Sequence, residues 1–199
     1  MRVIGGELRS RRLKSIPGDA TRPTPDRLRE TLFDILQTRI EGAIFLDAYA
    51  GTGAVGIEAL SRGAAHAIFL EKDRTAVETI RENLASLQLE RRGTVVKGAV
   101  LRTIGSTTAS IVFIDPPYDL LKEYTAVLQL LSENPPALTI AQHSIHMALA
   151  DSYGNLRRTR LLRQSDNCLS FFSAPPPDSP PESSGEPHPS PSSSPLAES

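Results

Sequence analysis

A glycine-rich turn between an apolar strand and a helix constrains the fold of this chain more than any other feature. Residues 45–56 read FLDAYAGTGAVG, and from Gly51 the glycines follow the spacing Gly-x-Gly-x-x-Gly. Glycine allows a tight turn and lets a ligand approach the backbone closely. The spacing alone is a weak signal, but here the required strand precedes it and the required helix follows it. The segment therefore predicts a nucleotide-binding strand–turn–helix unit.

The rest of the chain alternates strands and helices. Short apolar runs predict strands and helical spacing predicts helices. A helix at 24–38, with Thr24 as its N-cap, precedes the alternation, and a hairpin of two strands ends it. The strands are predicted at 43–48, 67–71, 94–97, 111–114, 137–141, 156–163 and 168–172, and the helices between them at 53–62, 74–87 and 124–132. Short, fully apolar strands between helices indicate an α/β domain with a Rossmann-like, mostly parallel sheet and helices on both faces.

Composition divides the chain into three parts. Residues 1–20 are expected to form a basic N-terminal hairpin arm with Gly5-Gly6 as its turn. Residues 21–173 carry the alternating pattern. Residues 174–199 hold nine of the sixteen prolines and no aromatic residue. We expect this tail to be disordered, because it cannot bury enough apolar surface to offset its ordering entropy.

Positive charge is concentrated near the N-terminus. Residues 1–29 contain eight basic and three acidic side chains, a local net charge of +5, whereas the whole chain has −1. Such a concentration favours contact with a phosphate backbone, although a solvated basic face explains it equally well. The basic candidates for this contact are Arg2, Arg9, Arg11, Arg12, Lys14, Arg22 and Arg27.

Other residue types limit the possible functions. Cys168 is the only cysteine and has no metal-ligand spacing around it, so we expect a small buried hydrophobe and no metal site. The N-terminus lacks the apolar stretch of a signal peptide, and no apolar run approaches the length of a membrane span. A cytoplasmic, monomeric protein without a membrane partner is the expectation.

Two acidic residues near the glycine-rich turn favour S-adenosylmethionine over a dinucleotide. Asp47 ends the first strand, where a carboxylate can receive an α-ammonium group but would repel a pyrophosphate. Glu71 ends the second strand, where an acidic residue binds a ribose diol. Acidic surroundings also favour a sulfonium charge. The cofactor-binding candidates from this pattern are Asp47, Ala50, Gly51, Thr52, Gly53, Glu71 and Lys72.

The turn after the fourth strand, Asp115-Pro116-Pro117-Tyr118, suits methylation of a planar exocyclic amine. Such an amine is a poor nucleophile, because its lone pair is delocalised into the ring. The Asp115 carboxylate and the Pro116 carbonyl can hold its hydrogens, and the prolines fix the backbone. The Tyr118 ring can stack on a flipped-out base. An ordinary turn is the alternative reading. We predict that these four residues are catalytic.

With these motifs the chain resembles the RsmD family, bacterial methyltransferases that modify the exocyclic N2 of one guanine in small-subunit (16S) ribosomal RNA. The resemblance covers most of residues 1–172 and is carried by the segments 1–6, 21–24, 29–36, 47–63, 115–118 and 169–172. It implies a class I methyltransferase fold with a seven-stranded sheet and S-adenosylmethionine as donor. It also places Arg22 and Thr24 near the target nucleotide or the methionine end of the donor. It makes ribosomal RNA, within an assembling subunit, the partner of the basic arm.

The chain departs from the family pattern in three places. Ala99 stands where an acidic residue commonly contacts the adenine amine, so adenine binding would rest on backbone and apolar contacts. Gln142 stands where family members often carry a glutamate. We interpret the next residue, His143, as structural. The segment 164–167 replaces a more basic, glycine-containing turn.

Two other functions remain open. An adenine-N6 methyltransferase acting on RNA or DNA would use the same Asp-Pro-Pro-Tyr turn, although no target-recognition domain is visible. A non-catalytic ribosome assembly factor could retain the fold, and Ala99 favours it through weakened donor affinity. A dehydrogenase fits poorly, because Asp47 and Asp115 suit neither a pyrophosphate nor hydride chemistry.

Overall fold

Strands and helices alternate through most of residues 1–16, 26–117 and 121–176, which the computed structural model describes. The strands are β1 (Ile44–Ala48), β2 (His66–Glu71), β3 (Gly93–Lys97), β4 (Ile111–Ile114), β5 (Leu138–Ser144), β6 (Ser152–Tyr153), β7 (Leu156–Gln164) and β8 (Asn167–Ser173). The helices are α1 (Asp26–Leu36), α2 (Ala54–Ser61), α3 (Arg74–Ser86), α4 (Val100–Thr103) and α5 (Leu121–Glu133). The pattern predicted neither α4 nor β6, and Thr24, the expected N-cap of α1, lies outside the described residues.

All eight of these strands join one mixed sheet in the order β3-β2-β1-β4-β5-β8-β7-β6. The strands from β3 to β5 are parallel, and β8, β7 and β6 continue the sheet in antiparallel pairs. The expectation of a seven-stranded, mostly parallel sheet was therefore wrong. The eighth strand, β6, has two residues and carries no periodic signal, and short hairpin turns give the last three strands an antiparallel direction.

Side chains along the central strands point alternately to the two faces of the sheet. Phe45, Phe69 and Phe113 point to one face and pack in a core with α1, α2 and α3. Their neighbours Leu46 and Leu70 point to the other face, where α4 and α5 cover them. Because successive strand side chains point to opposite faces, fully apolar strands require this double cover. The prediction of helices on both faces is confirmed.

Strand order places the ends of β1 and β4 together. The chain runs outward from β1 through β2 to β3, and then returns to add β4 on the other side of β1. The parallel register aligns Ala48, the last residue of β1, with Ile114, the last residue of β4. Ligands of open α/β sheets bind at such a switch point, outside the carboxyl ends of the strands.

The N-terminal arm is a closed loop. One antiparallel bridge joins Arg2 to Arg12, and residues 4–9 lie between the paired segments. The two segments of the arm pair in antiparallel fashion, as expected of a hairpin. The two-residue turn expected at Gly5-Gly6 was wrong, since the connection spans residues 4–9 and the Gly5 N–H donates to Glu58 of α2.

The antiparallel half of the sheet buries the chain's single thiol. Cys168 in β8 is buried and lies opposite His143 of β5, as expected for a small hydrophobe.

None of the helices within the described ranges is long and apolar enough to cross a membrane.

Candidate active site

A cavity of about 860 Å³ opens at the carboxyl ends of β1, β2 and β4. Ligand-binding clefts generally have volumes of roughly 300–1,000 Å³. Its wall contains most of the predicted cofactor-binding and catalytic residues: Asp47, Ala50, Gly51, Thr52, Glu71, Lys72, Ala99, Asp115, Pro116 and Pro117. Gly53 is not in the wall, and Tyr118 lies outside the described residues. Two distant segments of the sequence thus meet in one cavity.

The glycine-rich turn follows β1 in a conformation that requires positive φ. Gly51 has φ +55° and Gly53 has φ +78°. The backbone N–H groups of Tyr49 and Ala50 both donate to the Leu70 carbonyl, 3.1 Å away in each case, and this holds the start of the turn against β2. Gly53 lies below the turn against Ile80 of α3, so its contribution is to the turn's shape.

Asp47 lies under the turn and is 2% exposed. Its Oδ2 accepts a hydrogen bond of 2.8 Å from the backbone N–H of Gly56, near the N-terminus of α2. Burial raises the pKa of the Asp47 carboxyl to about 8. The Gly56 bond opposes that rise, and the negative charges of Asp115 and Glu71 add to it. Asp47 is therefore largely protonated at neutral pH, and an approaching cation would favour its ionised form.

Glu71 connects the end of β2 to the glycine-rich turn. Its Oε2 accepts from the Gly51 N–H at 2.9 Å. Its Oε1 accepts from the N–H groups of Lys72 and Asp73 at 2.8 and 2.9 Å. Each carboxylate oxygen has two lone pairs, so Oε1 is already saturated, whereas Oε2 retains capacity to accept from a ligand hydroxyl.

The far end of the cavity lies beside β3 and α4. The Gly98 N–H donates to the Glu71 carbonyl at 2.9 Å, and Ala99 is the exposed N-cap residue of α4. Asp73 also lines the cavity, but its Oδ1 caps α3 by accepting from the Ala76 N–H at 2.8 Å. The side chain at position 99 therefore offers a ligand only a methyl group.

Asp115 and Pro116 line the cavity directly after β4. Asp115 is half-buried, Pro116 is buried and Pro117 is exposed. Further polar side chains that line the cavity, none of them predicted from the sequence, are Tyr49, Glu123, Ser144, Asp166 and Asn167. Within residues 1–16, 26–117 and 121–176, no three His, Cys, Asp or Glu side chains are grouped so as to hold a metal ion.

The predicted RNA-contacting side chains are divided between the arm and α1. Arg2, Arg9, Arg11, Arg12 and Lys14 are all exposed on the arm. Lys14 Nζ forms an ion pair of 3.0 Å with Glu82 of α3, and an Arg11 Nη2 donates to the Ser86 carbonyl at 3.4 Å. The remaining candidate in the described part of the chain, Arg27, is exposed on the first turn of α1, and Arg22 and Thr24 fall in the undescribed segment 17–25.

Comparisons with known proteins identify the family. A family model described as conserved hypothetical protein 95 matches residues 1–173. Ribosomal RNA small subunit methyltransferase D of Escherichia coli (strain K12) is 42% identical over 137 residues, covering 67% of this chain and 68% of that protein. The chain belongs to the RsmD family. The protein YlbH of Bacillus subtilis (strain 168), also similar, is 36% identical over 80% of this chain and 91% of its own length.

Solved structures share the fold of this RsmD-family chain. The Escherichia coli protein yhhF has a TM-score of 0.75 and 33% identity, covering 87% of this chain and 97% of its own. An RNA methyltransferase from Salinibacter ruber, solved with S-adenosyl-L-homocysteine, has a TM-score of 0.63 and 16% identity, covering 83% and 100%. At that identity the likeness concerns the fold alone.

Two buried side chains explain why the arm of this RsmD-family chain is held in place. Glu58 of α2 is fully buried and accepts from the N–H groups of Ile4 and Gly5 at 2.8 and 2.7 Å. Arg29 of α1 is fully buried too, and its Nη2 donates to the Arg2 carbonyl at 2.7 Å. Burial lowers the pKa of Arg29, an effect that the nearby Glu58 charge opposes. Arg29 and Glu58 lie in two of the segments that carried the family resemblance, 29–36 and 47–63, and together they hold the arm in place.

A third buried residue joins the arm to the cavity. Asn83 of α3 is fully buried, and its Oδ1 accepts from the Lys14 N–H at 2.7 Å. Its Nδ2 donates to the carbonyls of Lys14 and Thr52 at 3.2 and 3.1 Å. The arm's ends, Met1, Ser15 and Ile16, line the cavity. Sequence reasoning missed all of these, although a polar Asn on the apolar side of a helix was an available signal.

His143 belongs to the structure of the sheet. It is buried, its Nε2 is 2.9 Å from Ser170 Oγ and its Nδ1 is 2.9 Å from the Ser144 carbonyl. Burial lowers its pKa, which favours the neutral ring. These contacts support the structural interpretation of His143.

Proposed function

We propose that this chain methylates the exocyclic N2 of a guanine in small-subunit ribosomal RNA, with S-adenosylmethionine as donor. The single observation that carries the proposal is the shared cavity. The glycine-rich turn and the acidic residues at the ends of β1 and β2 line the same cavity as the Asp115-Pro116 turn after β4. The printed names of the relatives support the substrate, because the similar Escherichia coli protein is a ribosomal RNA small subunit methyltransferase.

The residues at the β1–β2 end fit the donor. When bound, S-adenosylmethionine supplies an electrophilic methyl group on a positively charged sulfur. Asp47 would receive the α-ammonium group, Glu71 the ribose hydroxyls, and the backbone around Ala50 and Gly51 would contact the ligand closely. Lys72 and Ala99 would border the adenine, with backbone and apolar contacts only. The acidic wall favours two positive charges in a cavity that is partly shielded from water.

The residues at the β4 end fit a planar amine. The Asp115 carboxylate and the Pro116 carbonyl would accept the two hydrogens of the N2 group, which leaves the nitrogen lone pair directed across the cavity. The negative charge of Asp115 would stabilise positive charge that develops on nitrogen. Orientation supplies much of such an acceleration. Pro117 would shape the turn, and Tyr118 would stack on the base.

The arm supplies the contact with RNA in this proposal. Exposed Arg2, Arg9, Arg11 and Arg12 would meet phosphates, and Arg22, Thr24 and Arg27 would lie nearer the target nucleotide. Phosphate contacts position an enzyme, and the shape of folded RNA selects the site. We place the reaction in the cytoplasm on an assembling small subunit, with the protein acting as a monomer.

A transfer assay tests the proposal. Labelled S-adenosylmethionine would be offered with unmodified small ribosomal subunits and with naked small-subunit RNA, followed by nucleoside analysis. N2-methylguanosine at one site is the expected product, and the better substrate would identify the assembly stage. N6-methyladenosine would replace the guanine assignment by the adenine alternative. No transfer together with no donor binding in calorimetry would support the non-catalytic assembly factor.

A further inference from the structure

A further carboxylate, Glu123, lines the cavity that would hold the target base. Glu123 lies in the first turn of α5 and lines the same cavity as Asp115 and Pro116. It is half-buried, so a ligand in the cavity can reach it while water only partly screens its charge. An acidic residue also favours the positive N-terminal end of a helix. A favourable interaction with the helix end does not require the carboxylate to face the cavity.

Tyr49 fixes the position of this carboxylate. Its hydroxyl donates to Glu123 Oε1 over 2.7 Å. Burial, followed by the bond to Glu123, raises the pKa of the Tyr49 phenol, so the phenol remains a donor throughout the physiological range. Tyr49 has φ +69°, in the left-handed region that a bulky residue rarely occupies. Backbone strain of this kind persists only where the surrounding structure holds the residue in place, and such residues cluster at functional sites.

Three other carboxylates that line the cavity bond to backbone N–H groups. Asp47 and Glu71 bond to backbone N–H groups around the glycine-rich turn, and Asp73 caps α3. The Oε2 of Glu123 accepts no hydrogen bond from residues 1–16, 26–117 or 121–176. Glu123 therefore presents a positioned acceptor in the same cavity that Asp115 lines.

Two acceptors in one cavity can match the edge of one purine and oppose that of the other. Guanine presents two donors side by side, the N1–H and the N2 amine. Adenine presents an amine beside N1, which is an acceptor. An acceptor facing another acceptor in a half-buried site leaves both without a hydrogen, and such mismatches are the strongest basis for rejecting an analogue.

We propose that Glu123, held by Tyr49, accepts the N1–H of the target guanine and makes the site selective for guanine over adenine. The inference rests on the proposed function and deepens it. Asp115 acts on the amine that is methylated, whereas Glu123 acts on the neighbouring ring nitrogen. Glu123 is thus a specificity-determining residue, and Tyr49 is a positioning residue that acts through it.

The test uses a base that keeps the amine and lacks the N1–H. 2-Aminopurine would replace guanine at the site that the wild-type enzyme methylates, in the RNA substrate of the transfer assay. Values of kcat and KM would be measured for both RNAs with the wild type, Glu123→Gln and Tyr49→Phe. Glu133→Gln, an exposed change at the other end of α5, is the matched control. Calorimetry with S-adenosylhomocysteine and thermal unfolding would accompany each variant.

We expect the wild type and the Glu133→Gln variant to prefer guanine over 2-aminopurine in kcat/KM by roughly tenfold to a hundredfold. Glu123→Gln should bring this ratio close to one, because its amide can donate to the unprotonated N1. Tyr49→Phe should lower the ratio in part, with affinity for S-adenosylhomocysteine within about twofold of wild type. If Glu123→Gln keeps the wild-type preference for guanine over 2-aminopurine in kcat/KM, the role assigned to Glu123 is overturned while the proposed function stands. A wild type that yields no N2-methylguanosine would overturn the proposed function as well.

Discussion

The carboxylate of Glu71 holds the backbone of Gly51 across twenty residues of sequence, with Oε2 2.9 Å from the Gly51 nitrogen. The other oxygen of the same group accepts from two further backbone N–H groups, those of Lys72 and Asp73. A single side chain thus fixes both the turn and the loop on either side of the proposed ribose position. Its role in shaping the site precedes any contact with a ligand.

Replacing Glu71 by Gln tests this arrangement. The amide nitrogen of Gln would face backbone N–H donors, so at least one donor would lose its acceptor, at a cost of about 1–3 kcal/mol. We expect a lower melting temperature and at least roughly tenfold weaker binding of S-adenosylhomocysteine, since 1.4 kcal/mol is a tenfold change. Thermal unfolding and calorimetry measure the two effects. Glu78→Gln, which removes an exposed partner of Arg74, should change neither.

The raised pKa of Asp47 predicts a pH-dependent affinity. Below about pH 8 the free protein holds Asp47 protonated, so binding an α-ammonium group there releases a proton. Affinity for S-adenosylhomocysteine should rise from pH 6 to pH 8, by at most about tenfold per unit, and then level off. Asp47→Asn should weaken binding and abolish this slope. Calorimetry in buffers of different ionisation enthalpy would also count the released proton, and a flat wild-type profile would contradict the prediction.

The same shift predicts how stability varies with pH. An unfolded Asp ionises near pH 4, whereas Asp47 in the folded, ligand-free protein ionises near pH 8. The unfolded chain therefore binds fewer protons between these values, and this residue's contribution makes the free energy of unfolding fall as pH rises through that window. Denaturant unfolding of the wild type and Asp47→Asn should diverge across pH 4–8 and run parallel above it.

Asp115→Asn separates chemistry from donor binding. The substitution keeps the shape of the side chain but removes the charge that would stabilise positive charge on the amine. We expect the methyl-transfer rate to fall on the order of a hundredfold or more, as when one preorganised electrostatic group is lost. S-adenosylhomocysteine affinity should fall little, because Asp115 lies on the amine side of the cavity. Single-turnover transfer beside calorimetry measures both, and undiminished transfer would refute the assigned role.

Asn83→Ala should release the arm from the cavity wall. The change removes the acceptor for the Lys14 N–H and the donor to two carbonyls, so we expect a loss of about 1–3 kcal/mol in stability. RNA affinity should weaken together with stability, since the basic side chains lose a fixed frame. Glu82→Gln is the matched comparison, because it removes only an exposed ion pair to the same Lys14, worth about 0–1 kcal/mol. Equal effects of the two variants would mean that Asn83 does not fix the arm.

The parts of the site that could be predicted depend on local pattern. Asp47, Glu71 and Asp115 each lie at or just after the carboxyl end of a strand of the parallel region, and parallel strands bring these ends to one edge. Strand ends and turns can be identified from a few neighbouring residues. The division of helices over two faces follows from fully apolar strands for the same reason.

The missed parts depend on contacts between distant residues. Glu58 meets the arm across 53 and 54 positions and Asn83 meets it across 69, and nothing in their own neighbourhoods specifies those partners. The two-residue β6 is too short for any periodicity, and its presence changed the strand number. Tyr49 and Glu123, 74 positions apart, likewise meet only in the folded chain.

Burial of Cys168 gives the antiparallel half of the sheet an intrinsic reporter. The thiol is the only one in the chain, it is 2% exposed, and burial raises its pKa. Thiolate is the reactive form, so an alkylating reagent can label the folded protein only when β8 separates from its neighbours. The rate of that labelling would report local opening beside the cavity, without any engineered probe.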